Sequence, residues 1–420
     1  MSAIAETLLG WIAAEQDALV TLLARFVAIP SPNPPGDTRA AAAFLLEHLR
    51  AAGVPADLRA AKPVLPNIVA TLGTGGPHLV LNGHIDVFPA GPAAGWTRDP
   101  FSGAVADGRV HGRGVADMKC GTAAAVATTV LLHRLGAKLP GRLTLTCVSD
   151  EETGGTYGAQ WLLQSFPDEC RGDCMLNGEP TAGTIRFGEK GTLRLIFEIS
   201  TPGAHAAYTH LSRNAIRVAA RLVADLAALE SLVGEPPEGV QHAIAAGRGA
   251  LDAALGAGAG AIMDRVTVSP GVIAGGVKIN MLPGDCRLEV DIRLPVGLSH
   301  ATLMAALNKI LRRYPQARMT PVWTHSHEAT FSDPAHPMVG ILQNAAAGPL
   351  GGAPPQPVIS LGASDAKHWR DAGVPSFLYG CHPNNMARAD EYVDVAEYLH
   401  VLRVHALAAA AFLSGQAPFP

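Results

Sequence analysis

Apolar and polar positions along this chain follow two patterns, and the change between them marks the architecture. Through residues 1–188, stretches with helical spacing alternate with short, nearly continuous apolar runs. The spacing predicts a helix over residues 5–27. A rigid loop follows at Ile29-Pro30-Ser31-Pro32-Asn33-Pro34-Pro35-Gly36, where successive prolines fix the backbone. Apolar runs at 67–72, 78–82, 143–149 and 174–176 read as strands of one sheet. Helices alternating with such strands describe an α/β domain with a doubly wound mixed sheet.

A second unit begins near Glu189. Its pattern reads strand 193–200, helix 214–229, strand 266–274, strand 286–294, helix 300–313 and strand 318–324. Two strand-helix-strand halves of this kind make a small α+β sandwich. Residues 234–263, rich in alanine and glycine, read as a helical insertion within it. After about Pro334 the first pattern returns, with helices near 338–347 and 396–413. The expected division is a larger domain from residues 1–188 and 329–420, with residues 189–328 inserted as the smaller one.

Candidate chemistry collects where the strands of the larger domain end. Leu81-Asn82-Gly83-His84-Ile85-Asp86-Val87 delivers His84 and Asp86 to one face of an extended segment. In that arrangement an imidazole can take a metal while the carboxylate fixes its tautomer. Asp117 lies in the glycine-punctuated turn Gly112-Arg113-Gly114-Val115-Ala116-Asp117, just ahead of a small-residue helix. The next strand ends in Asp150-Glu151-Glu152, and another ends in Asn177-Gly178-Glu179-Pro180. Taken singly, each has a plain structural explanation. His84 could be a satisfied polar group, the acidic triplet could favour a helix N-terminus, and Glu179 could serve a turn. Together they put one imidazole and several mutually repelling carboxylates at neighbouring strand ends, where a divalent cation is the economical compensation. Oxygen ligands with one imidazole suit Zn, Mn or Co.

The ordered series His84-x-Asp86, Asp117, Asp150-Glu151-Glu152 and Gly178-Glu179-Pro180 resembles the acetylornithine deacetylase, succinyl-diaminopimelate desuccinylase and glutamate carboxypeptidase family of metal-dependent hydrolases. The resemblance runs over essentially the whole chain. It implies that His84 and Glu179 hold a first metal, that Asp117 bridges to a second, and that Glu152 is a ligand of the second. Glu151 would be the general base and Asp86 would orient His84. The inserted domain would serve dimerisation. His205, in Thr201-Pro202-Gly203-Ala204-His205, would reach into the partner's site and stabilise the oxyanion. Asn280 and Arg293 resemble the residues that hold a substrate carboxylate, although Arg293 could equally pair with Asp291 or Glu289. Gly362-Ala363-Ser364-Asp365 matches a loop beside the site.

One departure stands out. The family's last metal ligand is a histidine three residues before an Asp-Glu pair, here Asp390-Glu391, and Ala387 occupies that position. A methyl group cannot coordinate a metal. The expectation is one tightly held metal per protomer on His84, Asp117 and Glu179, with two possible if His382 folds back as a substitute. Otherwise His382 has a structural or substrate-binding role.

Composition narrows the classes. The chain has 420 residues, 48% hydrophobic and 16% charged, enough for two cored domains. Its net charge of −4 and lack of a basic cluster argue against a nucleic-acid partner. Six cysteines are scattered; Cys170 and Cys174 are close, but no second pair completes a zinc site. No secretory signal is evident and no apolar run approaches membrane-spanning length, so cytoplasm is the expected location, without a membrane partner. The expected activity is hydrolysis of a C–N bond in a small carboxylate-bearing substrate, such as an N-acyl amino acid, by a homodimer or dimer-based oligomer. Deamination of an activated aromatic amine, as by the related nitroanthranilate aminohydrolase, is the alternative that an altered metal site suggests. A non-catalytic binding protein is the third, and retention of Glu151 argues against it.

Overall fold

Burial of the apolar runs produces one nine-stranded mixed sheet in the larger domain. Its order is Ala56–Lys62, Leu65–Leu72, Arg142–Val148, His78–His84, Cys174–Asn177, Ser376–Leu378, Ile185–Glu189 and Thr330–Phe331, with Pro357–Ser360 also pairing to Ile185–Glu189. The central strands His78–His84, Arg142–Val148, Cys174–Asn177 and Ser376–Leu378 run parallel, so their C-terminal ends share one edge. Such strands are covered on both faces, which is why they read as continuous apolar runs. The computed structural model describes residues 3–136, 140–347 and 353–415.

The first expected helix is two, Ala3–Ala14 and Gln16–Val27, bent by 68° at Glu15, whose backbone leaves helical geometry. The expectation about membrane-spanning runs is also corrected. By length and composition, Val115–Leu135 and Val395–Leu413 would each cross a bilayer, and the bent N-terminal pair would if taken together. The first two are 89% and 61% buried, and the helices Cys120–Leu135 and Val395–Leu413 pack on each other over the sheet. Their all-round apolarity is that of core helices.

The smaller domain has a four-stranded antiparallel sheet in the order Thr267–Gly275, Asp285–Leu294, Gly191–Ser200 and Ala317–Pro321. Helices Ala215–Leu226 and His300–Leu311 cover it, capped by the side chains of Asn214 and Ser299. It has its own core, in which Leu195, Phe197, Leu288, Val290, Leu222 and Leu303 are buried.

The segment 234–263 does not join that core. Its helix Glu238–Leu255 packs on Pro357–Ser360, and Val240, Ile244, Leu251 and Met263 belong to the core of the larger domain. Contact is close at Gly247, where a Cβ would lie 2.5 Å from Val358 Cγ1. The buried Lys190 holds the return crossing by donating to the carbonyls of Ile262 and Arg265 at 2.9 and 2.8 Å.

His405, on Val395–Leu413, is fully buried and donates from Nε2 to the Tyr379 carbonyl at 2.7 Å. Burial pulls its pKa down to about 4. A folded-state pKa below the ordinary histidine value means the folded protein gains from keeping it neutral. That gain is complete above about pH 6.5 and is lost as pH falls toward 4. His405→Gln, whose amide can still donate to Tyr379, should flatten the loss of urea stability between pH 7 and pH 4.5 by about 2.5 kcal/mol. Identical acid limbs for variant and wild type would remove His405 from this account.

Candidate metal centre

His84 is the last residue of its strand, and its ring is held by a short local bond. Nδ1 lies 2.8 Å from the Asp86 backbone carbonyl; a carbonyl only accepts, so Nδ1 carries the proton. Nε2 is thereby left facing Asp117 Oδ1 at 3.1 Å and Glu179 Oε1 at 3.5 Å. Burial works to lower the His84 pKa, but the surrounding Asp117, Asp86 and Glu179 carboxylates outweigh it and raise it well above the ordinary value.

Asp86 does not orient the ring mainly through its carboxylate, whose Oδ1 is 3.5 Å from Nδ1. The carboxylate instead accepts from Asn33 Nδ2 at 2.9 Å and from the backbone amides of Glu151 and Glu152 at 3.3 and 3.2 Å. It thus pins the turn that carries the two glutamates, with Asn33 supplied by the proline-rich loop. Asp117 is set from the other side. The buried Glu391 accepts from the amides of Ala116 and Asp117 at 2.9 and 3.3 Å, and its second oxygen pairs with buried Arg113 at 2.5 Å. Glu179 enters because two glycines allow close packing: a Cβ on Gly121 would lie 2.1 Å from the Gly178 carbonyl oxygen.

The resulting cluster is short of positive charge. Burial, then Asp117, pushes Glu152 up to about 11 and Glu179 up to about 7. Burial raises Glu151 well above the carboxylate range as well, against the pull of Lys367 and His84. Glu152 Oε1 is buried without a hydrogen-bond partner. Among the described residues, two sets bring their donor atoms within 4.8 Å: His84, Asp117 and Glu152, and His84, Glu151 and Glu179. One imidazole nitrogen aimed at the acids, an orphaned buried carboxylate oxygen and several crowded carboxylates, which a cation can offset in place of the ring proton, fit a divalent cation. The cluster floors a cleft of about 680 Å³ whose opposite wall, from the smaller domain, includes Thr192, Arg194, Arg293, Trp323 and His327.

A sequence profile described as Peptidase family M20/M25/M40 matches residues 80–411. The chain belongs to that family. A succinyl-diaminopimelate desuccinylase from Xanthomonas campestris pv. campestris (strain B100) is 30% identical over 374 residues, covering 86% of this chain and 88% of that protein. Among solved structures, the M20 family metallo-carboxypeptidase Sso-CP2 from Sulfolobus solfataricus superposes with a TM-score of 0.79. It is 18% identical and covers 94% of this chain and 99% of its own. YXEP from Bacillus subtilis, described as a dinuclear metal-binding M20 peptidase, gives a TM-score of 0.63 at 15% identity, covering 96% and 98%. At these identities the two structures speak for the fold alone.

The remaining M20 candidates are scattered in this chain. His205 is exposed on Ala204–His205, which pairs with Met281–Leu282 beside the exposed Asn280, and neither residue lines the cleft. Arg293 does line it, but its guanidinium is held by Asp291 at 2.6 and 3.3 Å and by Thr192 Oγ1 at 3.0 Å, so the ion-pair alternative describes it. His382 is corrected as a substitute ligand. Its ring pairs with Glu397 on the C-terminal helix, away from the cleft, and Ala387 is exposed with φ +60°. Three residues were not singled out from the sequence: Asn33, Glu391 as an anchor of Asp117, and Lys367, whose Nζ lies 4.0 Å from Glu151 Oε1. The matched loop Gly362–Asp365 was the available signal for Lys367; Asn33 had only its place in a rigid loop.

Glu391→Gln keeps an acceptor for the two amides but breaks the buried ion pair. It should cost about 3 kcal/mol in urea unfolding and weaken metal retention against a competing chelator roughly 10-fold or more. Unchanged chelator competition would show that Glu391 does not position Asp117.

Proposed function

We propose that this chain is a metal-dependent hydrolase of a C–N bond in a small carboxylate-bearing substrate, with amides of the N-acyl amino acid type foremost. The carrying observation is Glu151, set beside the His84, Asp117, Glu152 and Glu179 donors on the floor of an open cleft. His84 with Asp117 and Glu179 would be the principal ligands, and Glu152 the further carboxylate. When bound, a divalent cation such as Zn, Mn or Co supplies Lewis acidity that makes water a usable nucleophile near neutral pH and offsets the crowded carboxylates.

The chain's own residues do the rest. Glu151 accepts the proton of the attacking water and returns it to the leaving nitrogen. Asp86 holds the backbone of Glu151 and Glu152, so that the base and its neighbour keep separate positions. One tightly bound cation per protomer is the reading the donors favour. Both ligand sets share the single free nitrogen of His84, and Ala387 offers no replacement.

The reading includes a homodimer. The edge strand Thr267–Gly275 is exposed along most of its length, with Val272 and Ile273 about half accessible and Ile279 just beyond it at 98%. An unpaired apolar sheet edge of this kind is satisfied by pairing with another strand. Across a twofold axis, that pairing supports carrying His205 and Asn280 toward the partner's cleft, where His205 would donate to the oxyanion.

Elemental analysis of protein purified without chelator should give one equivalent of metal per protomer. The loaded enzyme should release a carboxylic acid from N-acyl amino acids. Glu151→Gln should retain the metal and lose on the order of 100-fold or more in kcat. Ammonia release from an activated aromatic amine, without acid release from any amide, would replace amide hydrolysis with deamination. No turnover of either kind would leave a binding protein.

A further inference from the structure

Three large apolar side chains open onto the cleft instead of into a core. Phe88, Met386 and Trp323 line it together with Glu151, Glu152 and Glu179, and they remain 36%, 37% and 56% accessible. Exposed residues of this size are ordinary when scattered singly over a surface. Gathered around one concave site beside catalytic carboxylates, they mark a surface that a ligand covers.

Each is firmly mounted. Phe88 follows Val87, whose amide donates to the Ser31 carbonyl at 3.0 Å and whose carbonyl accepts from the Asn33 amide at 2.9 Å. Met386 belongs to the loop in which Ala387 stands at the expected ligand position. Asp390 ties that loop down by accepting from the Thr97 amide and hydroxyl at 2.9 and 3.0 Å, and the Asn385 side chain donates to the Asp390 carbonyl at 3.0 Å. With Asn385 and Ala387 in left-handed geometry at φ +54° and +60°, Met386 between them is the residue that lines the cleft. Trp323 comes from the smaller domain. The Val322 amide donates to the Arg194 carbonyl at 2.9 Å, and Ser326 Oγ accepts from the Arg194 amide at 3.1 Å while donating to the Val322 carbonyl at 2.8 Å. The His300 ring backs the indole at 5.8 Å between centroids. The Thr324 carbonyl oxygen lies 3.7 Å from where a Cβ on Gly154 would stand, so this turn sits against the one that carries Glu151 and Glu152.

We propose that Phe88, Met386 and Trp323 form an apolar subsite beside the metal cluster, and that this subsite selects substrates carrying an aromatic ring. The proposal rests on the hydrolase reading above and deepens it. Phenyl and indole faces gain from an offset or edge-on ring beyond the area that is covered, and a thioether packs well against a ring edge. A carboxylate among these three side chains would give up its hydration with only the indole N–H to replace it. The cleft, at about 680 Å³, has room for a ring besides the group being cleaved. The ring can belong to the acyl half or to the amine half of the amide; the same three side chains receive it. The loop that carries Ala387 in place of a ligand thereby serves recognition through its neighbour.

The test compares N-acetyl-L-alanine with N-benzoyl-L-alanine, N-acetyl-L-phenylalanine and N-succinyl-L-alanine on the metal-loaded enzyme. At least one of the two aromatic compounds should exceed N-acetyl-L-alanine by about 30-fold in kcat/KM, and the succinyl compound should not match it. The benzoyl and phenylalanine arms show which half carries the ring. Trp323→Ala and Phe88→Ala should each cut the aromatic advantage about 10-fold, mainly through KM, and Trp323→Phe should keep part of what Trp323→Ala loses. Equal rates for all four compounds, a preference for succinyl over both rings, or the same proportional loss on N-acetyl-L-alanine as on the aromatic compound in both alanine variants would overturn the proposal. If wild type hydrolyses none of the four, the hydrolase reading fails on these amides, and the subsite is scored by titration calorimetry. The better aromatic compound should then bind more tightly than N-acetyl-L-alanine, with a more negative heat-capacity change that shrinks in Trp323→Ala. Equal binding, or no binding of either aromatic compound, would overturn the subsite.

Discussion

Mutual repulsion among buried carboxylates is the constraint around which this molecule is arranged. Asp117, Glu151, Glu152 and Glu179 converge on one imidazole in surroundings that penalise every uncompensated charge. No single element brings them there. Glu151 and Glu152 arrive together on one turn, Asp117 and Glu179 on two others, and the parallel strands put their ends on one edge of the sheet. The sheet therefore pre-assembles a charge pattern that an isolated peptide would never hold, and a divalent cation completes it.

Holding such a pattern takes a second layer of polar contacts, and that layer is drawn from distant parts of the chain. Asp86 and Asn33 tie down the acidic turn, while Glu391 and Arg113 tie down Asp117. Glu189 and Arg370 do the same for the loop under Lys367. In each case a buried charge is matched by a neighbour and by backbone amides, the arrangement that makes burial tolerable. The supporting groups need no contact with substrate. They keep the donors from relaxing apart.

What was legible in the sequence follows the same division. The strands and the acidic strand ends depend on local pattern, and both could be placed from residues close to one another in the chain. Asp86 was expected to orient His84 through its carboxylate, but the nearer acceptor is its backbone carbonyl, which no residue identity announces. Glu391 acts on Asp117 across 274 positions, and Lys367 meets Glu151 only when the last third of the chain folds back. The helix Glu238–Leu255 was legible as a helix but not as part of the larger core. Its small residues give weak periodicity, and its partner, Pro357–Ser360, lies about a hundred positions later. His382 looked available because ligand spacing ignores competition; Glu397 is closer to it than any acid of the cluster.

The strand Ser376–Leu378 lies between Cys174–Asn177 and Ile185–Glu189, in the interior of the large sheet. This has a consequence for the order in which the molecule is made. A chain emerging from the ribosome has all of the smaller domain's core, from Leu193 to Tyr314, before that central strand exists. The smaller domain can thus complete itself during synthesis, while the larger one waits with two strands exposing bare edges. The helices that cover its sheet include Val395–Leu413, later still. Closure of the larger domain is accordingly a late, long-range event. The strand ends bearing the metal donors meet their C-terminal supports, Lys367 and Glu391, only when nearly the whole chain is available.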